Sequence, residues 1–234
     1  MNSMIRPTES SPQTDAWRLW IDRCGGYALF AGDQLTVGGV RQDDRRADIA
    51  VQSDWRRIEG TLHRHGGDYF WTTVPEKAAN FGPSTGVSVA AGQTRQPGQS
   101  SAIGRDAPKR QLLVDGSRFP IAGSASMRIR KPSVLSASAV LELDAPHRFD
   151  AHVDKVLIAA QTLLIGPTVA NHICCPGLEI SAVLVIRDGK WKAKLNRTSE
   201  ASRFLASDTP REFVDLIPGQ RTSLGPLDMM LEEV

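Results

Sequence analysis

Apolar and polar residues alternate in short runs along most of the chain. "AWRLWID" sets Trp17, Leu19 and Ile21 against polar neighbours, the two-residue period of a strand with one buried face. "YALFAG" and "QLTVGG" are brief apolar runs that end in glycine, and "ADIAV", "EGTLHR" and "DYFWTTV" follow, separated by turn residues. Later come "RQLLVDG", "RFPIAG", "SMRIRK" and "AVLELD". Runs at roughly ten-residue spacing predict an all-β sandwich or barrel. Two windows, "DAWRLWIDRC" and "VDKVLIAAQTLLIG", can also be read with a helical period; both are assigned as strands.

Two segments break the pattern. Residues 1–15 are rich in Ser, Thr, Pro and Gln and hold too few apolar residues to repay the entropy of ordering, which predicts a flexible tail. Residues 76–110 are dominated by Gly, Ser, Pro and Gln, the composition of a flexible loop.

The remaining runs show a weak internal repeat. "GDQLTVG" (32–38) aligns with "AQTLLIG" (160–166), so that Leu35 matches Leu163 and Val37 matches Ile165. "ADI" (47–49) then aligns with "NHI" (171–173). Each half continues with a strand, a glycine turn and an aromatic: Gly67-Asp68-Tyr69 in one, Gly189-Lys190-Trp191 in the other. A shared order of features predicts two related β modules, 16–145 and 146–234, in tandem or united in a larger sandwich.

The chain has 234 residues, 41% of them apolar, enough for a substantial core. A formal net charge of +2 makes any basic patch local. The three cysteines, Cys24, Cys174 and Cys175, are odd in number and two are adjacent, which argues against a disulfide framework and for a reducing compartment. The N-terminal stretch has no apolar h-region, and no window approaches 18 apolar residues. The expectation is a cytoplasmic protein with no membrane contact.

The order of features resembles the forkhead-associated (FHA) family, a small β-sandwich whose loops bind phosphothreonine peptides. "TVGG" (36–39) stands where that family reads "IGR", "ADIAV" fits its "DI" element, "RRIEG" (56–60) stands at "SRxHA", and "VDGS" (114–117) stands at "NGT". The resemblance covers most of 16–145 and, more faintly, 151–234. It implies a non-catalytic, phosphopeptide-type interaction module. The departures fall on the ligand-binding positions: Gly39 replaces the arginine, Arg56 the serine, Glu59 the histidine and Asp115 the asparagine, while Arg57 keeps its type. In the second half Pro167, Leu178 and Ser181 occupy the arginine, serine and histidine positions. Phosphate capture needs several aimed donors, and Glu59 and Asp115 would repel a dianion. The implied function is therefore protein–protein interaction with a degenerate phosphothreonine site. The alternative is phosphopeptide binding rebuilt on Arg56 and Arg57. Candidate partner-binding loops hold Gly39, Arg41, Trp55, Arg56, Arg57, Asp115 and Gly116.

Other chemistry is weakly signalled. Arg41, Arg45, Arg46, Arg56, Arg57, His63, Arg64 and His65 form a basic stretch, but Asp43, Asp44, Asp48 and Asp54 lie among them. That mixture predicts a salt-bridged solvated face and no nucleic-acid partner. His172, Cys174 and Cys175 suggest a metal, yet no second His or Cys pair stands at zinc spacing, so no metal and no cofactor is expected. There is no G-x-S-x-G motif and no P-loop, and an enzyme is not expected. Trp71 and Trp191, in strands that follow turns, are predicted to be core; Trp17 and Trp20, three apart, should face opposite sides of a strand.

Overall fold

The computed structural model describes residues 16–40, 47–52, 58–74, 110–120, 125–196 and 212–234. Within them the chain is all-β. The first half holds β1 (Ala16–Ile21), β2 (Gly25–Phe30), β3 (Gln34–Gly39), β4 (Ile49–Val51), β5 (Gly60–His65), β6 (Asp68–Thr73), β7 (Arg110–Leu113), β8 (Arg118–Pro120) and β9 (Ser126–Arg130). The second holds β10 (Ala139–Leu143), β11 (Lys155–Ile158), β12 (Thr162–Gly166), β13 (Ile173–Cys174), β14 (Ser181–Arg187), β15 (Lys190–Asn196), β16 (Val214–Asp215), β17 (Arg221–Leu224) and β18 (Leu227–Glu233). No helix of the described residues is long and apolar enough to cross a membrane.

The strands form three sheets. A central sheet has the order β17-β18-β1-β2-β11-β10-β9-β8, and two outer sheets run β4-β3-β5-β6-β7 and β13-β12-β14-β15-β16. The outer sheets share one plan. In each, a short strand pairs in parallel with the first long strand, and the other pairings are antiparallel. The central sheet takes strands from both sides of residue 145. β1 pairs with β18, β10 joins β9 to β11, and β2 and β11 meet in parallel at the middle.

Burial explains which runs alternate and which do not. The first outer sheet packs Leu35, Val37, Leu62, Tyr69 and Trp71 against one face of the central sheet. The second packs Leu163, Ile165, Leu184, Trp191 and Leu195 against the opposite face. β1 and β15 are covered on one side and alternate strictly. β2 and β11 are covered on both: Tyr27, Leu29 and Leu157 enter one core, and Ala28, Phe30, Val156 and Ile158 the other. Their sequences accordingly read as unbroken apolar runs. Rings lock each core. Trp71 stacks on Phe119 with centroids 5.3 Å apart, and Trp17 meets Trp191 edge-on at 5.6 Å. Trp20, on the other face of β1, lies over Gly26, where a Cβ would sit 2.4 Å from its ring. Gly60 is similarly confined, with the Trp71 ring 2.4 Å from where its Cβ would be.

Cys24, in the turn between β1 and β2, is bonded to Cys175, just after β13. The expectation of unpaired cysteines is thus corrected. The vicinal pair is not forced into its own strained ring, because Cys175 points into the core and finds Cys24 with a Cα–Cα separation of 5.0 Å. Cys174 remains a free thiol. The bridge also removes the ground for expecting a reducing compartment.

The bridge spans 151 residues and ties the central sheet to the second outer sheet. On a chain-entropy account, Cys24→Ser should lower unfolding stability by up to about 5 kcal/mol. Urea denaturation with and without reductant checks this: reduction should shift the wild-type midpoint to that of the variant. Thiol titration of the native protein should count one accessible sulfhydryl.

Candidate interaction surface

The candidate loop residues lie at two ends of the first outer sheet. Gly39 ends β3, at the end of the first outer sheet where β5 begins at Gly60. Asp115 and Gly116 lie in the turn after β7, whose last residue pairs with Tyr69 at the start of β6. That is the opposite end of the sheet, roughly 20 Å along the strands. Consecutive hairpins return the chain to the far rim. Asp115 ties its turn to the β9–β10 connection, where Oδ1 accepts from the Lys131 backbone N–H at 2.6 Å. Gly116 supplies a left-handed turn conformation, φ 77°. Arg41, Trp55, Arg56 and Arg57 lie outside the described residues.

The basic hairpin is β5–β6, turning at Gly66-Gly67 with φ 61° at Gly66. Arg64 does not offer its charge to solvent. Its side chain is nine-tenths buried, with Nε donating to Asp33 Oδ1 at 2.8 Å and Nη2 donating to the Ala31 carbonyl at 3.3 Å. It therefore staples the hairpin to the β2–β3 connection. Tyr69, opposite Arg64 in the ladder, donates its hydroxyl to the Ala137 carbonyl at 2.7 Å. Burial pushes its pKa up to about 12 against the pull of Arg64.

Each outer sheet carries a side-chain acceptor just before its short parallel strand. Asp48 Oδ2 accepts from the Thr36 N–H and hydroxyl, both at 2.7 Å. His172 Nδ1 accepts from the Leu164 N–H at 3.0 Å. His172 is fully buried, and its Nε2 has no hydrogen-bond partner of good geometry. With His172 bound to backbone and Cys175 in a disulfide, two members of the suspected metal group are otherwise engaged. Among the described residues no three His, Cys, Asp or Glu side chains gather around a possible ion.

The surface feature that sequence reasoning missed is the connection from β9 to β10. Val134 and Leu135 stand at its tip with relative exposures of 101% and 96%. Serines hold the tip in place. Ser136 Oγ and Ser138 Oγ both donate to the Thr162 carbonyl, at 2.9 and 2.8 Å, and Ser138 Oγ accepts from the Ala160 N–H at 3.0 Å. The turn is thereby anchored to the β11–β12 connection. Beside it opens a groove of about 520 Å³ lined by Leu135, Ser136, Thr162, Gln161, Arg64 and Asp33. A second cleft, about 330 Å³, lies between the edge of β4 and the central sheet, with Arg18, Phe30, Ile49, Phe149 and Val156 on its walls. The signal for the turn was present in "KPSVLSAS": two apolar residues between serines, out of phase with either strand.

No family model matches the chain, and neither a curated protein nor a solved structure does.

The His172 pKa is lowered from 6.5 to about 4. Burial is the largest cause; the Ser138 backbone pulls the other way, and the Arg130 charge pushes with burial. The folded protein therefore holds His172 neutral while the unfolded chain protonates it. Its stabilisation is complete above the unfolded pKa near 6.5 and is lost as pH falls toward 4. His172→Asn keeps an acceptor for Leu164 without a titrating ring. Compared by denaturant unfolding at pH 7.5 and pH 5, the wild type should lose about 2 kcal/mol more than the variant.

Proposed function

We propose that this chain is a non-catalytic protein–protein interaction module of FHA type whose original phosphothreonine positions are degenerate, and that it engages its partner through the anchored β9–β10 turn. The observation that carries this reading is the pair Val134 and Leu135, two large apolar side chains held together in water on a braced turn. Single exposed apolar residues are ordinary; an adjacent, pre-organised pair beside a groove fits an anchor for another protein. The braces matter because they order the turn before binding, so less entropy is lost on association. Buried Arg64 supports contact by shape over capture of a phosphate.

Photo-crosslinking tests this. A benzophenone amino acid placed at Leu135 in the native host should give a discrete crosslinked protein. The same probe at Ile217, half-exposed beyond β16, should not. Val134→Ser should reduce the yield at position 135 several-fold while leaving the unfolding midpoint within about 0.5 kcal/mol of wild type. Absence of a discrete product at position 135 would refute the reading.

A further inference from the structure

We infer that the charged row at the β8 end of the central sheet docks an acidic segment of a partner protein; this rests on the interaction reading above and supplies the partner's chemistry. The first outer sheet covers one face of β8, β9 and β10; the other face enters the second core at Val140 and opens to solvent toward β8. On that open face Arg118 stands directly opposite Arg128 across the β8–β9 ladder. Their side chains are 62% and 42% exposed. Like charges facing each other across a ladder destabilise it.

The carboxylates nearby do not cancel this. Glu142, next to Arg128 in the β9–β10 ladder, is already engaged. Its Oε1 accepts from Lys155 Nζ at 2.7 Å and Arg130 Nε at 3.3 Å, and its Oε2 from Arg128 Nη2 at 3.1 Å. Burial would raise the Glu142 pKa, but Lys155 with Arg130 and Arg128 holds it below the usual range. Asp144 accepts from the Ser126 hydroxyl and approaches Arg118 at 3.6 Å. Four cations share two carboxylates, so an excess of two positive charges stays on the face. Asp144 lies within the field of both Arg118 and Arg128 and partly bridges them; an incoming carboxylate would complete the bridge, using guanidinium N–H donors left over from Glu142.

The row is continuous with the apolar turn. Arg130 Nη1 donates to the Val169 carbonyl at 2.5 Å, and Val169 is itself 75% exposed. Residues 131–135 lead from Arg130 to the exposed tip. The complementary surface is thus a segment mixing carboxylates with apolar side chains. A nucleic acid suits the row less well, because the row has no aromatic side chain on which bases could stack.

The test uses the full-length chain and a fluorescein-labelled synthetic peptide of alternating glutamate and leucine, read by anisotropy. The peptide should bind, weaken as salt is raised, and lose about tenfold or more in affinity with Arg118→Glu/Arg128→Glu. The milder Arg118→Gln/Arg128→Gln should fall between, which separates lost charge from lost folding. Unchanged affinity in both variants, or no binding of the peptide, overturns the acidic-partner assignment even if position 135 still crosslinks. Tighter binding of a DNA duplex or of phosphatidylserine vesicles also overturns it. Peptide binding that depends on the arginines but survives Val134→Ser/Leu135→Ser supports the row while counting against the turn.

Discussion

The structure depends on burying one pair of strands on both faces. β2 and β11 lie side by side in parallel, and each sends alternate side chains into two separate cores. The pair contributes to the apolar layer beneath both outer sheets, Leu29 and Leu157 under one and Phe30 and Ile158 under the other. The pair in turn has no polar face, so it could not border solvent on either side. That constraint couples the halves of the chain. β1, near the start, is held by β18, near the end, and the first outer sheet carries the chain from β2 to β8 at the far edge of the central sheet. Two independent sandwiches joined by a linker would expose one face of β2 and one of β11.

Much of this was legible. One-sided strands such as β1 alternate because only one face meets apolar neighbours, and "AWRLWID" shows it. The shared motifs also fall at corresponding places. Leu35 and Leu163 are buried in β3 and β12, and Tyr69 and Trp191 are buried after the two hairpin turns. The central sheet was not legible, because continuous apolar runs such as "YALF" state that both faces are covered without saying by what. The disulfide was hidden for a similar reason. Spacing in sequence gives no hint that residue 24 and residue 175 approach, since that contact follows from the pairing of sheets.

The candidate surface was less legible than the fold. Basic residues in "TLHRHGG" look available on paper, yet Arg64 turns back to Asp33 and Ala31 because the hairpin packs against the β2–β3 connection. Conversely, "RFP" and "SMRIR" look like plain alternating strands, and only the register puts Arg118 against Arg128. A charge count cannot find such a pair. It takes the ladder, which decides whether an arginine faces a carboxylate or another arginine.

The two outer sheets solve one local problem with different chemistry. A short parallel strand leaves an N–H of its neighbour needing an acceptor, at Thr36 in one sheet and at Leu164 in the other. Asp48 meets the first with a carboxylate that can take two donors at once. His172 meets the second with an imidazole nitrogen that must stay unprotonated to accept. The surroundings dictate the choice. Asp48 borders a cleft that admits solvent, whereas His172 sits sealed against the β9–β10 face, where Arg130 is close enough to disfavour the imidazolium cation. An ionised carboxylate at the sealed site would be costly to desolvate, while a neutral ring is not. It follows that mild acid strains the second outer sheet through His172, at the border of the Arg130 surface.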